Sequence, residues 1–121
     1  MIRQRLMELP DEIAKLKLEI LQMQERAADI REQLQLWELT QIDDIANAQD
    51  EKGKPIFSNE AKRKAELEKR KQGDSNYQKQ AEELKALEHD IQVKNIRLEK
   101  LYNEQGNLRA LCKLEGISND V

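Results

Sequence analysis

From the first turn of the chain to Trp37 an apolar residue recurs at alternating intervals of four and three. The positions are Ile2, Leu6, Leu9, Ile13, Leu16, Ile20, Met23, Ala27, Ile30, Leu34 and Trp37. A repeat averaging about 3.5 residues places them on one narrow stripe of a helix, the seam that a coiled coil buries against a neighbour. The residues between are mostly Glu, Gln, Lys, Arg and Asp, which require solvent. The pattern predicts a first helix over 11–48, with 2–9 either its continuation or a separate turn. Pro10 is unfavourable inside a helix and well suited to a first helical position, so a kink or a start is expected at Leu9–Pro10. Beyond Trp37 the seam falters at Gln41 and Asp44, while Leu39, Ile42 and Ile45 drift to another face.

Residues 47–58 read as a connection. Asp50 to Gly53 is turn chemistry, Pro55 bars helix at Lys54, and Ser58 is a suitable N-cap for a second helix. Ile56 and Phe57 are expected to tuck against a helix end as a hydrophobic staple. A short basic helix is predicted over 59–72, closed by Gly73, with Asp74 or Ser75 capping the next. The last helix, 75–114, repeats the seam through Leu84, Leu87, Ile91, Lys94, Leu98, Leu101, Gln105, Leu108 and Cys112. Lys94 and Gln105 interrupt it with polarity, a device that fixes register at some cost in stability. Residues 115–121 read as a frayed tail.

The two long helices match in length, at roughly 57 and 60 Å. Two stripes of equal length around one strong break predict an all-α fold, an antiparallel helical hairpin with a short extra helix after the central loop. The alternative is a second reversal at Gly73, and the interrupted return is favoured. With 3% aromatic and 37% charged residues in 121, the chain is one domain with little further core, so self-association into a homodimer or higher oligomer is expected. Ile13, Leu16, Ile20, Met23, Ile30, Leu34 and Trp37 are the expected oligomer or partner interface. Such polarity (mean hydropathy −0.90) would suggest disorder if the seam were not so regular.

Catalytic chemistry has little to work with. His89 is the only histidine and lies between Glu88 and Asp90, so a solvated side chain is favoured over a general base. One Cys and one His cannot make a zinc site, and Cys112 falls on the apolar stripe, so no catalytic residue, metal or cofactor is expected. Asp43, Asp44, Asp50 and Glu51 match no metal-binding loop. The lone cysteine, together with no apolar run of membrane-spanning length and no leader, predicts a cytoplasmic protein without membrane contact.

Charge divides the chain. Residues 1–51 carry net −6, residues 52–72 net +5 and residues 73–121 net −2. Lys62, Arg63, Lys64 and Lys69, Arg70, Lys71 form two triplets seven positions apart, with Lys52 and Lys54 just before them. They are the candidate anion or nucleic-acid contacts. The competing reading pairs them with Asp43, Asp44, Asp50 and Glu51, and no aromatic row or recognition motif supports base contact. The expected function is a non-enzymatic interaction or scaffolding module. The alternative is a nucleic-acid-binding accessory protein that uses residues 52–71.

The stretch Gly53-Lys54-Pro55-Ile56-Phe57-Ser58-Asn59-Glu60-Ala61-Lys62-Arg63, with Tyr77-Gln78 before a long helix, resembles small coiled-coil proteins of phages, prophages and other mobile elements. The resemblance spans about a third of the chain and carries no activity or functional residue. It implies a cytoplasmic, non-enzymatic accessory protein near replication or recombination machinery.

Overall fold

The computed structural model describes residues 1–116 and is helical almost throughout. The helices are α1 (Ile2–Asn47), α2 (Glu60–Gly73) and α3 (Ser75–Leu114). Among the described residues the only pairing of extended type is an isolated antiparallel bridge between Gln49 and Pro55. The expected tail over 115–121 falls mostly on residues 117–121, outside the described residues.

Helix α1 does not start at Pro10; it runs through it for 46 residues. Proline removes one backbone donor and crowds the preceding turn, at about 3 kcal/mol. The turns before it are tied down all the same. Leu9 is completely buried, and Arg5 donates from Nε and a terminal nitrogen to both Glu104 carboxylate oxygens, at 2.8 and 2.7 Å. Arg5 also pairs with Glu12, beyond the proline. Contacts made on both sides of Pro10 outweigh the lost hydrogen bond.

The chain's contacts gather in two compact units, one of residues 1–25 with 87–116 and one of residues 26–86. In the first, Leu9, Ile13, Leu16 and Ile20 pack with Leu101, and Ile91, Leu98 and Leu108 lie against that cluster. The ion pairs Arg5–Glu104 and Lys94–Glu19 give the sense: positions rise along α1 as they fall along α3. In the second unit Ala27, Ile30, Leu34 and Ile45 are buried, and the Trp37 and Tyr77 rings meet at 4.6 Å between centroids. There Arg26 meets Glu83, Gln33 meets Gln80, Glu38 meets Tyr77 and Lys71, and Asp44 meets Arg70. The order is again opposed, and it continues without reversal from α3 into α2.

The junctions explain that continuity. Asp50 closes the loop by accepting from the backbone N–H groups of Lys52 and Lys54 at 2.8 and 2.9 Å, and its own N–H donates to the Lys54 carbonyl. Gly53 sits at φ +79, a left-handed conformation that a side chain would strain. The N-cap of α2 is Asn59 rather than Ser58: its side-chain oxygen accepts from the Lys62 N–H at 2.9 Å. Ile56 does not tuck in as a staple and stays 50% exposed, with Phe57 half-buried.

Between α2 and α3 a single extended residue, Asp74, serves both ends. Its N–H donates to the Arg70 carbonyl, and its carboxylate accepts from the Tyr77 N–H at 2.8 Å. The Gln78 amide donates to the Lys71 carbonyl at 2.7 Å, occupying another acceptor that the break exposes. The chain is interrupted there, not turned.

Leu16 and Ile20 are each 6% exposed, so replacing either by Ala leaves a cavity in a seam with nothing behind it to refill the space. Each substitution should cost about 2–5 kcal/mol in urea denaturation. Met7→Ala, at a position 71% exposed, should change stability by less than about 0.5 kcal/mol.

Candidate functional site

The seven residues expected at an oligomer or partner interface are taken up by the chain itself. Ile13, Leu16, Ile20, Ile30 and Leu34 are buried, and Met23 and Trp37 are half-buried. Of the seven, only Met23 and Trp37 keep part of their surface open. In the unit of residues 1–25 and 87–116 the cover comes from Leu101, with Ile91, Leu98 and Leu108 lying against the same cluster. The α3 stripe is less completely covered, since only Leu101 and Cys112 are fully buried on that helix. Lys94 in that stripe reaches out to Glu19 at 3.2 Å, so the expected polar interruption carries an ion pair.

The two basic triplets separate in role. Arg70 is held by Asp44 at 2.7 Å, by Glu66 at 3.0 Å and by the Gln41 amide oxygen at 3.0 Å. Lys71 is held by Glu38 at 2.6 Å and by Glu68 at 3.3 Å, and it lies over the Tyr77 ring. These are internal pairs. The hydrogen bond from Asp44 raises the Arg70 pKa, and the hydrogen bond from Glu38 raises that of Lys71. Burial raises the Tyr77 phenol, and the Glu38 carboxylate adds to it.

Lys62, Arg63, Lys64 and Lys69 face solvent. Arg63 donates to the Phe57 carbonyl at 3.1 Å, and Lys64 stands 3.6 Å from Glu60 with both side chains mostly exposed. Lys62 and Lys69 make no ion pair among the described residues. Of the four acidic partners expected, only Asp44 takes one of these cations. Asp43 is engaged by the Asn47 amide at 3.1 Å, Asp50 closes the loop, and Glu51 is exposed.

His89 is exposed, and Cys112 is buried as a small apolar side chain. Among the described residues no group of three or more His, Cys, Asp or Glu is placed to hold a metal ion. No helix of the described residues is long and apolar enough to cross a membrane.

A surface that the heptad pattern does not mark lies on the outer face of α1. Leu36, Leu39 and Ile42 are between 48% and 57% exposed, with Ala46 one turn on. At the end of this row a groove of about 340 Å³ opens between α1 and α2, lined by Ile42, Ile45, Ala46 and Leu67 and rimmed by Glu60, Arg63 and Lys64. The drift of Leu39 and Ile42 out of the first register is its only signal in the sequence.

No family model, curated protein or solved structure matches this chain. The arrangement must be read from its own chemistry. It offers apolar contact beside the positive charge of Arg63 and Lys64.

The Glu38 cluster gives a pH-dependent test. Glu38→Ala should lower stability near neutral pH by about 1 kcal/mol, since it removes the acceptor of Lys71 and of the Tyr77 hydroxyl. Lys71 has a raised folded pKa, so its contribution is complete below its ordinary 10.5 and is lost as pH rises through the raised value. The gap between wild type and variant in denaturant melts should therefore close on the alkaline side. On the acid side, the Arg5 hydrogen bond lowers the Glu104 pKa, so that contribution is present above 4.5 and is lost as pH falls below it.

Proposed function

We propose that this chain is a non-enzymatic protein–protein interaction module: an antiparallel helical hairpin that uses its inner seam to fold and an outer face to assemble. What supports this reading is the row Leu36, Leu39, Ile42 and Ala46, which stays in water although the chain buries its other α1 stripe. Single exposed leucines are ordinary, whereas a helical row of them beside an apolar groove is the usual mark of a docking surface. The partner is a second copy of the chain or a helix from another protein. A cytoplasmic accessory role goes with this reading, as the resemblance to coiled-coil proteins of mobile elements implies.

A second reading, nucleic-acid contact through residues 52–71, draws on one observation: Lys62 and Lys69 carry no acidic partner among the described residues, and Arg63 meets only a carbonyl. The internal pairing of Arg70 and Lys71 takes two of the six triplet cations out of the array and weakens that reading.

Sedimentation equilibrium of the full chain, set beside DNA binding at two salt concentrations, separates the readings. The interaction reading expects reversible self-association or capture of a defined helical partner, with no DNA binding at low salt. Steeply salt-dependent DNA binding that is abolished by Lys62→Ser, Arg63→Ser and Lys64→Ser together would replace it with the second.

A further inference from the structure

The outer row of α1 carries charge at each end, of opposite sign. Asp29 and Glu32 are exposed, make no ion pair among the described residues, and precede the row on the same helix face. At about 100° per residue, Asp29, Glu32, Leu36, Leu39, Ile42 and Ala46 fall within an arc of roughly 140°. At the other end Arg63 and Lys64 rim the groove beside Ile42 and Ala46. Along the axis, Glu32 lies about 10 Å before Leu39 and Ala46 about 10 Å after it. The patch is thus acidic, apolar, then basic, with Leu39 at its centre.

Such a patch contains its own complement. Turned about a two-fold axis through Leu39, a second copy places Leu36 against Ile42 and lays its Asp29 and Glu32 beside Arg63 and Lys64. The contact repeats at the other end, as an isologous interface requires. Nothing in the chain opposes the exchange strongly. Lys64 has only the exposed Glu60 at 3.6 Å, and the guanidinium of Arg63 meets one carbonyl through Nε, which leaves its other nitrogens able to donate. Asp43 and Gln35 are exposed within the same arc, but Asp43 is engaged with Asn47 and falls opposite the neutral Gln35 of the second copy.

We propose that this face of residues 26–86 is a homodimer interface, two α1 helices crossing antiparallel at Leu39 with Asp29 and Glu32 of each copy paired to Arg63 and Lys64 of the other. The inference rests on the proposed interaction role and assigns its surface and its partner. An apolar centre of four side chains, completed by charge pairs at both ends, fits a dimer of micromolar Kd.

The experiment is sedimentation equilibrium of the full chain over a micromolar to sub-millimolar series, with circular dichroism as the control for folding. Arg63→Glu with Lys64→Glu should weaken dimerisation about tenfold or more, because both symmetric ends become repulsive at once. Asp29→Lys with Glu32→Lys should do the same. Mixing the two charge-reversed proteins should restore a one-to-one dimer at near wild-type affinity, and combining all four changes in one chain should restore the homodimer. Leu39→Ser should weaken both, and all variants should keep wild-type helicity, since every position is exposed. A wild type that dimerises but responds to none of these changes overturns the surface and leaves the interaction reading standing. A wild type that stays monomeric throughout overturns the second copy as the occupant and leaves the patch to a partner of different sequence.

Discussion

The closure of the α1 seam is the constraint on which everything else depends. A chain with a single Trp, a single Phe and two Tyr cannot assemble a core in three dimensions, so its apolar burial has to run along a helix pair. The burden falls unequally. Leu9, Ala27 and Ile30 are completely covered, whereas most of the α3 stripe is half-buried, because Lys94 and Gln105 keep one side of it open to water. The α1 stripe is thus the better covered of the two. Its continuity through Pro10 has the same origin, since a break there would uncover Leu9.

A seam of leucines and isoleucines tolerates sliding by a whole heptad, and apolar contact alone sets register poorly. The charged side chains beside the seam supply the missing information. In one unit Arg5 and Glu104, and Lys94 and Glu19, fix the pairing of α1 with α3. In the other Arg26 and Glu83, Lys71 and Glu38, and Arg70 and Asp44 fix α1 against α3 and α2. Each such exposed or half-exposed pair adds little stability, roughly 0–1 kcal/mol. Their shared effect is selective in the unit of residues 1–25 and 87–116, where a slip by seven would put Arg97 or Leu111 opposite Arg5 and a leucine opposite Glu19, whereas in the other unit Arg63 and Lys64 could stand in for Arg70 and Lys71.

Much of the helical architecture is legible in the residues, and the reasons are local. The heptad spacing, the turn chemistry from Asp50 to Gly53 and the cap at Asp74 act within a few positions and leave a mark in the order of side chains. The choice of Asn59 over Ser58 as cap does not, since both are good caps and the choice depends on how the loop delivers the chain to α2. The start of α1 stays open between a continuation and a separate turn when Pro10 is weighed without Leu9 and Arg5, whose partners lie near the other end of the chain. The basic triplets look equivalent at seven-residue spacing. They differ because Arg70 and Lys71 reach Asp44 and Glu38 of α1, whereas Arg63 and Lys64 rim the groove beside Ile42 and Ala46 and stay exposed. The outer row is hardest to see: its members look like a faltering of the first register, and only burial shows that they belong to a different face.

That last point changes where function should be sought. The most regular apolar stripe of a sequence is easily taken for its binding surface, yet in this chain most of that stripe is buried within the chain. A helix that encloses one seam has its remaining apolar side chains exposed, and they persist only if something covers them or if they are too scattered to matter. On the first part of α1 Met7 stands apart, three turns before Leu18, and Leu18 and Leu21 make only a pair. Leu36, Leu39 and Ile42 differ: they are contiguous, they lead into a groove, and they lie between charges of opposite sign. Contiguity makes the patch costly to leave in water, and the opposed charges give it a direction. A surface with both properties selects its partner by orientation as well as by apolar area, which a bare leucine row cannot do.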